Sequence, residues 1–166
     1  LPFGKKPLQL KGYYKYTPGT QPFKAKDKNG NTVTIPGQED EGDIYAVLYK
    51  AAELDGKALD GNNVLTSEYI VALARVEVEK KDEFTAFHVD FHYGSRIPID
   101  WPKFIRDQRD PSDDGTAPYL SFSEKKMKNY EYNLAVVFTS SKYGAYFAGS
   151  VGSTLCIDKV EIVCEK

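Results

Sequence analysis

The chain has 166 residues, 22 Lys plus Arg against 24 Asp plus Glu, and a formal net charge of -2 at pH 7, the size of one domain spanning residues 1–166. A mean hydropathy of -0.49 without a long apolar run excludes a transmembrane helix, which needs roughly 20 mostly apolar residues in succession. Balanced charge without a basic stripe gives neither nucleic acid nor an anionic membrane surface an electrostatic reason to bind, and 12 Tyr, 9 Phe and 1 Trp supply burial potential that disordered chains lack.

Leu1 to Pro7 contains neither an initiator Met nor the apolar core of a signal peptide, so the chain reads as a trimmed or mature fragment. A period of two recurs in at least six segments separated by Gly, Pro, Asn and Asp clusters, which predicts an all-β domain. In Leu8 to Tyr16, Leu8, Leu10, Tyr14 and Tyr16 share one face, and Gln9, Lys11, Tyr13 and Lys15 the other. Phe23 to Lys28 and Asn31 to Ile35 flank Asn29-Gly30, the dipeptide of a type I′ hairpin turn. Asp43 to Lys50 is apolar on both faces, Ile44, Ala46 and Leu48 opposing Tyr45, Val47 and Tyr49, as in a central strand covered on both sides. A ligand is one such cover, and Tyr45 is a candidate contact.

Ile70 to Glu79 and Phe84 to Tyr93 are expected to pair, the second placing His88, Asp90 and His92 on one polar face. The stretch from Ser95 to Pro118 reads as a loop long enough to suggest a function or mobility. Ser123 precedes one capped helical turn, after which Tyr130, Tyr132, Leu134, Val136 and Phe138 resume period two. Leu155 and Ile157 give way to Val160, Ile162 and Cys164, a phase switch that predicts a β-bulge at Asp158-Lys159. Cys156 and Cys164 lie roughly 26 Å apart on an extended strand at about 3.3 Å per residue, beyond the roughly 7 Å reach of a disulfide, and are expected as two buried thiols. The sum is a two-sheet β-sandwich of jelly-roll type with helix a minor component.

Trp101, within Asp100-Trp101-Pro102-Lys103-Phe104, is a candidate for stacking on the apolar face of a sugar; the competing structural reading has Trp101 and Phe104 plugging the loop onto the sandwich. Tyr13, flanked by Lys11 and Lys15, suits a groove floor for a polyhydroxylated ligand, or a merely solvated sheet face. His88 and His92 start nearly 14 Å apart on a strand at the usual rise, too far to share one zinc ion, which leaves His88 and Asp90 a hydrogen-bonding role. Asp27, Asn29 and Asn31 open a calcium-loop pattern that fails at Thr32 and Gln38. The acidic runs Glu39-Asp40-Glu41 with Asp43, and Asp110 with Asp113-Asp114, read as solvated loop charge, although these and Asp158 at the bulge offer oxygen ligands to a hard cation. Ser140 or Ser141 with Lys142 lacks an orienting third group, and no hydrolase motif is present. Glycoside hydrolysis needs two carboxyls roughly 5 to 9.5 Å apart, a pair that sequence alone does not name.

Three segments, KPLQLKGYYKYTPG (Lys6 to Gly19), DIYAVLYKA (Asp43 to Ala51) and VVFTSSKYGAYFAGSVGSTLCIDKVEIV (Val136 to Val163), together resemble the putative carbohydrate metabolism domain of Bacteroidetes surface or periplasmic lipoproteins. Cys156, Lys159 and Cys164 depart from the ordinary strand residues expected there. The resemblance implies a jelly roll similar to carbohydrate-binding modules and to some glycoside hydrolases, a C-terminal position behind an immunoglobulin-like domain in a lipidated precursor, a cell-envelope location, and a structural calcium at Asp158. The expected partner is an oligo- or polysaccharide, with no membrane contact by the domain itself. The leading expectation is a non-catalytic glycan-binding module in which Trp101 and Tyr13 stack on sugar rings while Lys15, His88, Asp90 and Arg106 hydrogen-bond hydroxyls or an acidic sugar. Outward residues of Leu8 to Tyr16, Asp43 to Lys50 and Phe84 to Tyr93 are expected to act together. The alternatives are a glycoside hydrolase with an unidentified carboxylate pair and a structural surface module. A sheet face filled by the 95–118 loop favours the last, or converts a groove into a closed pocket for a sugar end.

Overall fold

A computed structural model describes residues 1–51, 59–110 and 115–166. Among these are ten strands, numbered in chain order, of which eight form an antiparallel β-sandwich of jelly-roll type. One sheet has the order β1 (Pro2–Phe3), β9 (Tyr132–Thr139), β5 (Asp43–Lys50), β6 (Ile70–Val76) and β8 (His92–Tyr93); the other has β10 (Thr154–Cys164), β2 (Pro7–Thr17) and β7 (Lys81–Asp90). A separate hairpin joins β3 (Lys24–Lys26) to β4 (Thr32–Thr34). Among the described residues, helix is confined to α1 (Lys103–Arg106), α2 (Glu124–Lys128) and one 3-10 turn, Gly144–Tyr146, and none of these is long and apolar enough to cross a membrane.

Alternation decides the layers. Ile44, Ala46 and Leu48 of β5 meet Leu10, Tyr14 and Phe87 of the facing sheet in the main core. The other face of β5, with Tyr45, Val47 and Tyr49, packs against Val64 and Tyr119 beside Leu65 and Ile97. The double-sided apolarity of this strand is therefore met largely by the chain's own loops. A third cluster gathers Phe23, Ala25, Ile105, Tyr143 and Ala148, with Trp101 and Phe104 against it, and ties the hairpin and α1 to the 3-10 turn.

Several local expectations hold. The register of β10 on β2 shifts between Asp158 and Glu161, with Lys159 at φ 49°, the geometry of a bulge. Ser123 caps α2, its Oγ accepting from the Lys126 amide at 3.3 Å.

Others are corrected. The 70–79 and 84–93 segments pair only at the end of the second, where His92 and Tyr93 of β8 lie opposite Leu73 and Ala72; β7 lies in the three-stranded sheet and β6 in the five-stranded one. The chain then returns at Phe91, so His92 sits in the opposite sheet from His88 and Asp90. Alternation survives the crossing because Phe87, Phe91 and Tyr93 all pack on the same core, two sheets notwithstanding. Leu8 is exposed and Pro7 buried instead, since a second shift between Val163 and Cys164 sets Pro7 opposite Cys164 and changes the phase at that end. The Asn29-Gly30 turn is not type I′, which needs positive φ at both central residues; only Gly30 has it, at 82°. The Asp27 carboxylate accepts from the amides of Asn29 and Asn31 at 2.9 and 2.8 Å. Those bonds, the one from Asn31 foremost, lower the Asp27 pKa and hold a wider loop in place of the two-residue turn. Cys156 and Cys164 are free thiols as expected but half-buried, Cys156 lying opposite Lys15. Asp113 and Asp114 lie outside the described residues.

Candidate functional site

Arg75 is the only charged residue of β6, whose sequence is IVALARV. A charge in so apolar a strand must be paired, because burying it alone costs far more than the fold can supply. Register sets Tyr45 opposite Arg75, and Asp43 at the start of β5 closes a bidentate pair, Arg75 Nε to Oδ1 at 3.0 Å and Nη2 to Oδ2 at 2.6 Å. Asp43 is buried, and the guanidinium carbon lies 5.8 Å from the centre of the Tyr45 ring. Burial opposes the charge on Arg75, but the hydrogen bonds and negative charge of Asp43 outweigh it and raise its pKa.

Four aromatic rings line one recess with this pair. Tyr45 and Tyr143 flank it, and Trp101 meets Tyr146 edge-on with ring centres 5.9 Å apart. Arg109 stacks on Trp101, its guanidinium carbon 4.1 Å from the ring centre, and its Nη1 donates to the Tyr146 hydroxyl. The indole Nε1 is buried with no hydrogen-bond partner among the described residues, so this ring is held by stacking rather than by its own donor. The enclosed space is about 160 Å³. Past Asp43, Arg75, Lys142 and Tyr143 it adjoins a wider groove of about 480 Å³, whose walls include Glu41, Glu77, Ile97 and Asp100. Lys142 Nζ lies 2.9 Å from Glu41 Oε2, a second ion pair at the junction.

A buried carboxylate positions the wall that bears Lys142 and Tyr143. Asp40 Oδ2 accepts from Ser141 Oγ at 2.7 Å, the Ser150 amide at 2.9 Å and Ser153 Oγ at 2.7 Å, while Oδ1 accepts from the Glu41 amide at 3.0 Å. A Cβ on Gly149 would stand 2.7 Å from Ser141 Oγ, so a side chain there would disturb the cradle. The SSK and GSVGS runs thus wrap one buried anion. Ser141 donates to Asp40 and Lys142 serves Glu41, an arrangement for structure and not for a nucleophile with its base.

Of the candidates taken from sequence, Tyr45 and Trp101 line this one pocket. Arg106 does not join them; it is exposed on α1, and Arg109 after the helix holds the place beside Trp101. Tyr13, Lys15, His88 and Asp90 lie on the outer face of the three-stranded sheet, the opposite side of the sandwich, which corrects the expectation that the three strands act together. There Tyr13, Lys15 and Asp90 each meet a neighbour of their own, and Lys11, opposite His88, is paired as well. Lys159 Nζ lies 5.8 Å from the Tyr13 ring centre and Lys15 Nζ 5.5 Å from that of Phe84, Gln9 donates to Asp90 at 2.9 Å, and Lys11 pairs with Glu161 at 3.1 Å. Asp158 is exposed at the bulge, and no group of three or more His, Cys, Asp or Glu side chains suited to a metal occurs among the described residues. Arg75, Tyr143 and Tyr146 were not picked out from sequence, and Asp43 was read there as solvated loop charge or a cation ligand, not as the partner of Arg75. Their one available signal was a lone cation in β6 and a lone anion heading β5, two strands otherwise apolar on both faces.

Burial pushes Tyr45 upward, helped by the charge of Asp43, and likewise raises Tyr143 and Tyr119. In the main core it pushes Tyr16 up to about 12 from an ordinary 10.0. A folded-state pKa above the unfolded one means the associated stability is fully present below about pH 10 and is lost as pH rises towards the folded value. Absorbance of phenolate is accordingly expected to include a late stage, to which these four contribute, that appears only with cooperative unfolding. A single smooth titration with the fold intact would contradict their burial.

A protein-family profile described as "Putative carbohydrate metabolism domain" matches residues 1–163. A search of curated proteins finds no match. Among solved structures, a protein of Bacteroides thetaiotaomicron VPI-5482 described as a putative glycoside hydrolase is similar with a TM-score of 0.73 and 35% identity, over 100% of this chain and 40% of that one. A second, from Bacteroides vulgatus ATCC 8482 and described in the same words, has a TM-score of 0.62 and 25% identity, over 99% of this chain and 55% of that one. The chain therefore spans 40% and 55% of the lengths of these two relatives.

Proposed function

Because the chain belongs to the family described as the putative carbohydrate metabolism domain, we propose that it is a non-catalytic glycan-binding module that takes the end of a sugar chain into the pocket beside Arg75. One observation carries this reading: aromatic rings and two ion pairs converge on a single recess of the molecule. A sugar ring has apolar C–H faces that suit Trp101 or a tyrosine, and a rim of hydroxyls that suits paired donors and acceptors. The 160 Å³ recess is well below the roughly 300–1,000 Å³ of sites for drug-sized ligands, and so favours one residue of a glycan over a long segment. The loops that fill the rest of this sheet face support end-on capture. The relatives come from Bacteroides, and we assign the domain to the cell envelope, where polysaccharide is met.

Binding is preferred over hydrolysis because Asp43 and Glu41 are already committed to Arg75 and Lys142. The description of both solved relatives as glycoside hydrolases favours a second reading, for which Glu77 and Asp100, lining the adjoining groove, are the acids without a cation partner among the described residues. An array of plant, host and microbial glycans, followed by overnight incubation of each hit, separates the two. Retention of a glycan that stays intact and is displaced by its free terminal monosaccharide is the expected result. Shortened product, abolished in Glu77→Gln or Asp100→Asn, would establish the hydrolase, and a blank array with folded protein would overturn both.

A further inference from the structure

We propose that this pocket selects neutral or amine-bearing terminal sugars and rejects uronates and sulfated sugars, since its cations are neutralised from within the chain; the inference rests on the glycan-binding reading above. Two of the five N–H bonds of Arg75 are directed at Asp43, and one of the three Lys142 donors serves Glu41. The remaining donors stay available to hydroxyl oxygens, but no net positive charge accompanies them. Arg109, a further cation near Trp101, is engaged with the face of that ring and the hydroxyl of Tyr146.

The surroundings push the same way. Together the recess and the adjoining groove are lined by Glu41, Asp43, Glu77, Glu79 and Asp100 against Arg75 and Lys142. Lys81 offsets Glu79 at 3.1 Å, and among the described residues of this lining the balance remains negative. A uronate entering here must either displace Asp43 from Arg75 or lie beside uncompensated carboxylates, and like charges in a partly desolvated site repel strongly. A neutral hydroxyl instead accepts from the cation and donates to the carboxylate of the same pair. An amino sugar adds a favourable charge facing Glu77 or Asp100.

The test is a titration, followed by ligand-observed NMR, of the whole domain with three methyl glycosides of one sugar configuration: the neutral hexoside, its hexuronide and its 2-amino form. The array hit sets the configuration. At low salt the hexuronide is expected to bind at least about tenfold more weakly than the other two, with the gap shrinking as salt screens the field. Glu41→Gln, which frees the charge of Lys142 at a half-exposed pair, is expected to narrow the gap several-fold. Equal or tighter binding of the hexuronide by the wild type would overturn the selectivity while leaving the pocket as a glycan site. Binding of none of the three would overturn the glycan reading and this inference with it.

Discussion

Asp43→Ala is expected to destabilise the domain by about 3–5 kcal/mol, the usual cost of stranding the partner of a buried ion pair. The side chain of Asp43 is 3% exposed and that of Arg75 19%, so the abandoned guanidinium can hydrate only partly, and the low end of the range applies if it turns outward. The companion variant is more informative. Replacing the pair together, Asp43→Leu with Arg75→Met, removes both desolvation costs and keeps apolar volume, so stability is expected to return to within about 1 kcal/mol of wild type. Glycan binding is not expected to return, because the donors and acceptors that face the sugar are gone. Urea denaturation monitored by circular dichroism reads the first effect, and the glycan array reads the second. A loss below about 1 kcal/mol in the single variant would place the pair among ordinary solvated ion pairs and remove the reason to regard Arg75 as fixed in the pocket.

Trp101→Ala is expected to weaken glycan binding on the order of 30-fold or more, the scale of a hot-spot aromatic truncated at about 2 kcal/mol. The ring forms one wall of the recess and is itself held between Arg109 and Tyr146, so truncation also releases both neighbours. Trp101→Phe keeps a ring and is expected to retain part of the affinity, which separates stacking from collapse of the wall. Tyr13→Ala, on the far side of the sandwich, is expected to leave binding unchanged. The reverse outcome, loss in Tyr13→Ala with Trp101→Ala intact, would move the site to the open face of the three-stranded sheet.

The layers were legible wherever burial alone decided them. Asp43–Lys50 is covered on both sides because both of its faces are apolar, the bulge follows from a phase switch visible in the residues, and Ser123 caps the helix its spacing predicts. Sheet membership was not legible at Phe91, since both sheets feed one core and alternation runs unbroken through the crossing. Nor was α1, whose four residues are too few to display a helical period. At the site, Trp101 and Tyr45 were legible by chemistry, rings being scarce on polar loops or conspicuous on strands. Tyr13, Lys15, His88 and Asp90 were chosen for lying on a polar sheet face, a property that any solvated face shares. The Arg75–Asp43 pair depends on the register between β5 and β6, which pairs residues 32 apart in sequence and leaves no local trace.

Trp101 is the only tryptophan of the chain, so intrinsic fluorescence reports from the wall of the proposed pocket without a label. The most direct test is to titrate the domain with a glycan that it retains and to follow indole emission beside an independent calorimetric isotherm. A saturable change in emission with the calorimetric midpoint is the predicted result. A complete calorimetric isotherm with Trp101 emission unchanged would contradict the account, because a sugar seated beside Arg75 cannot avoid that ring.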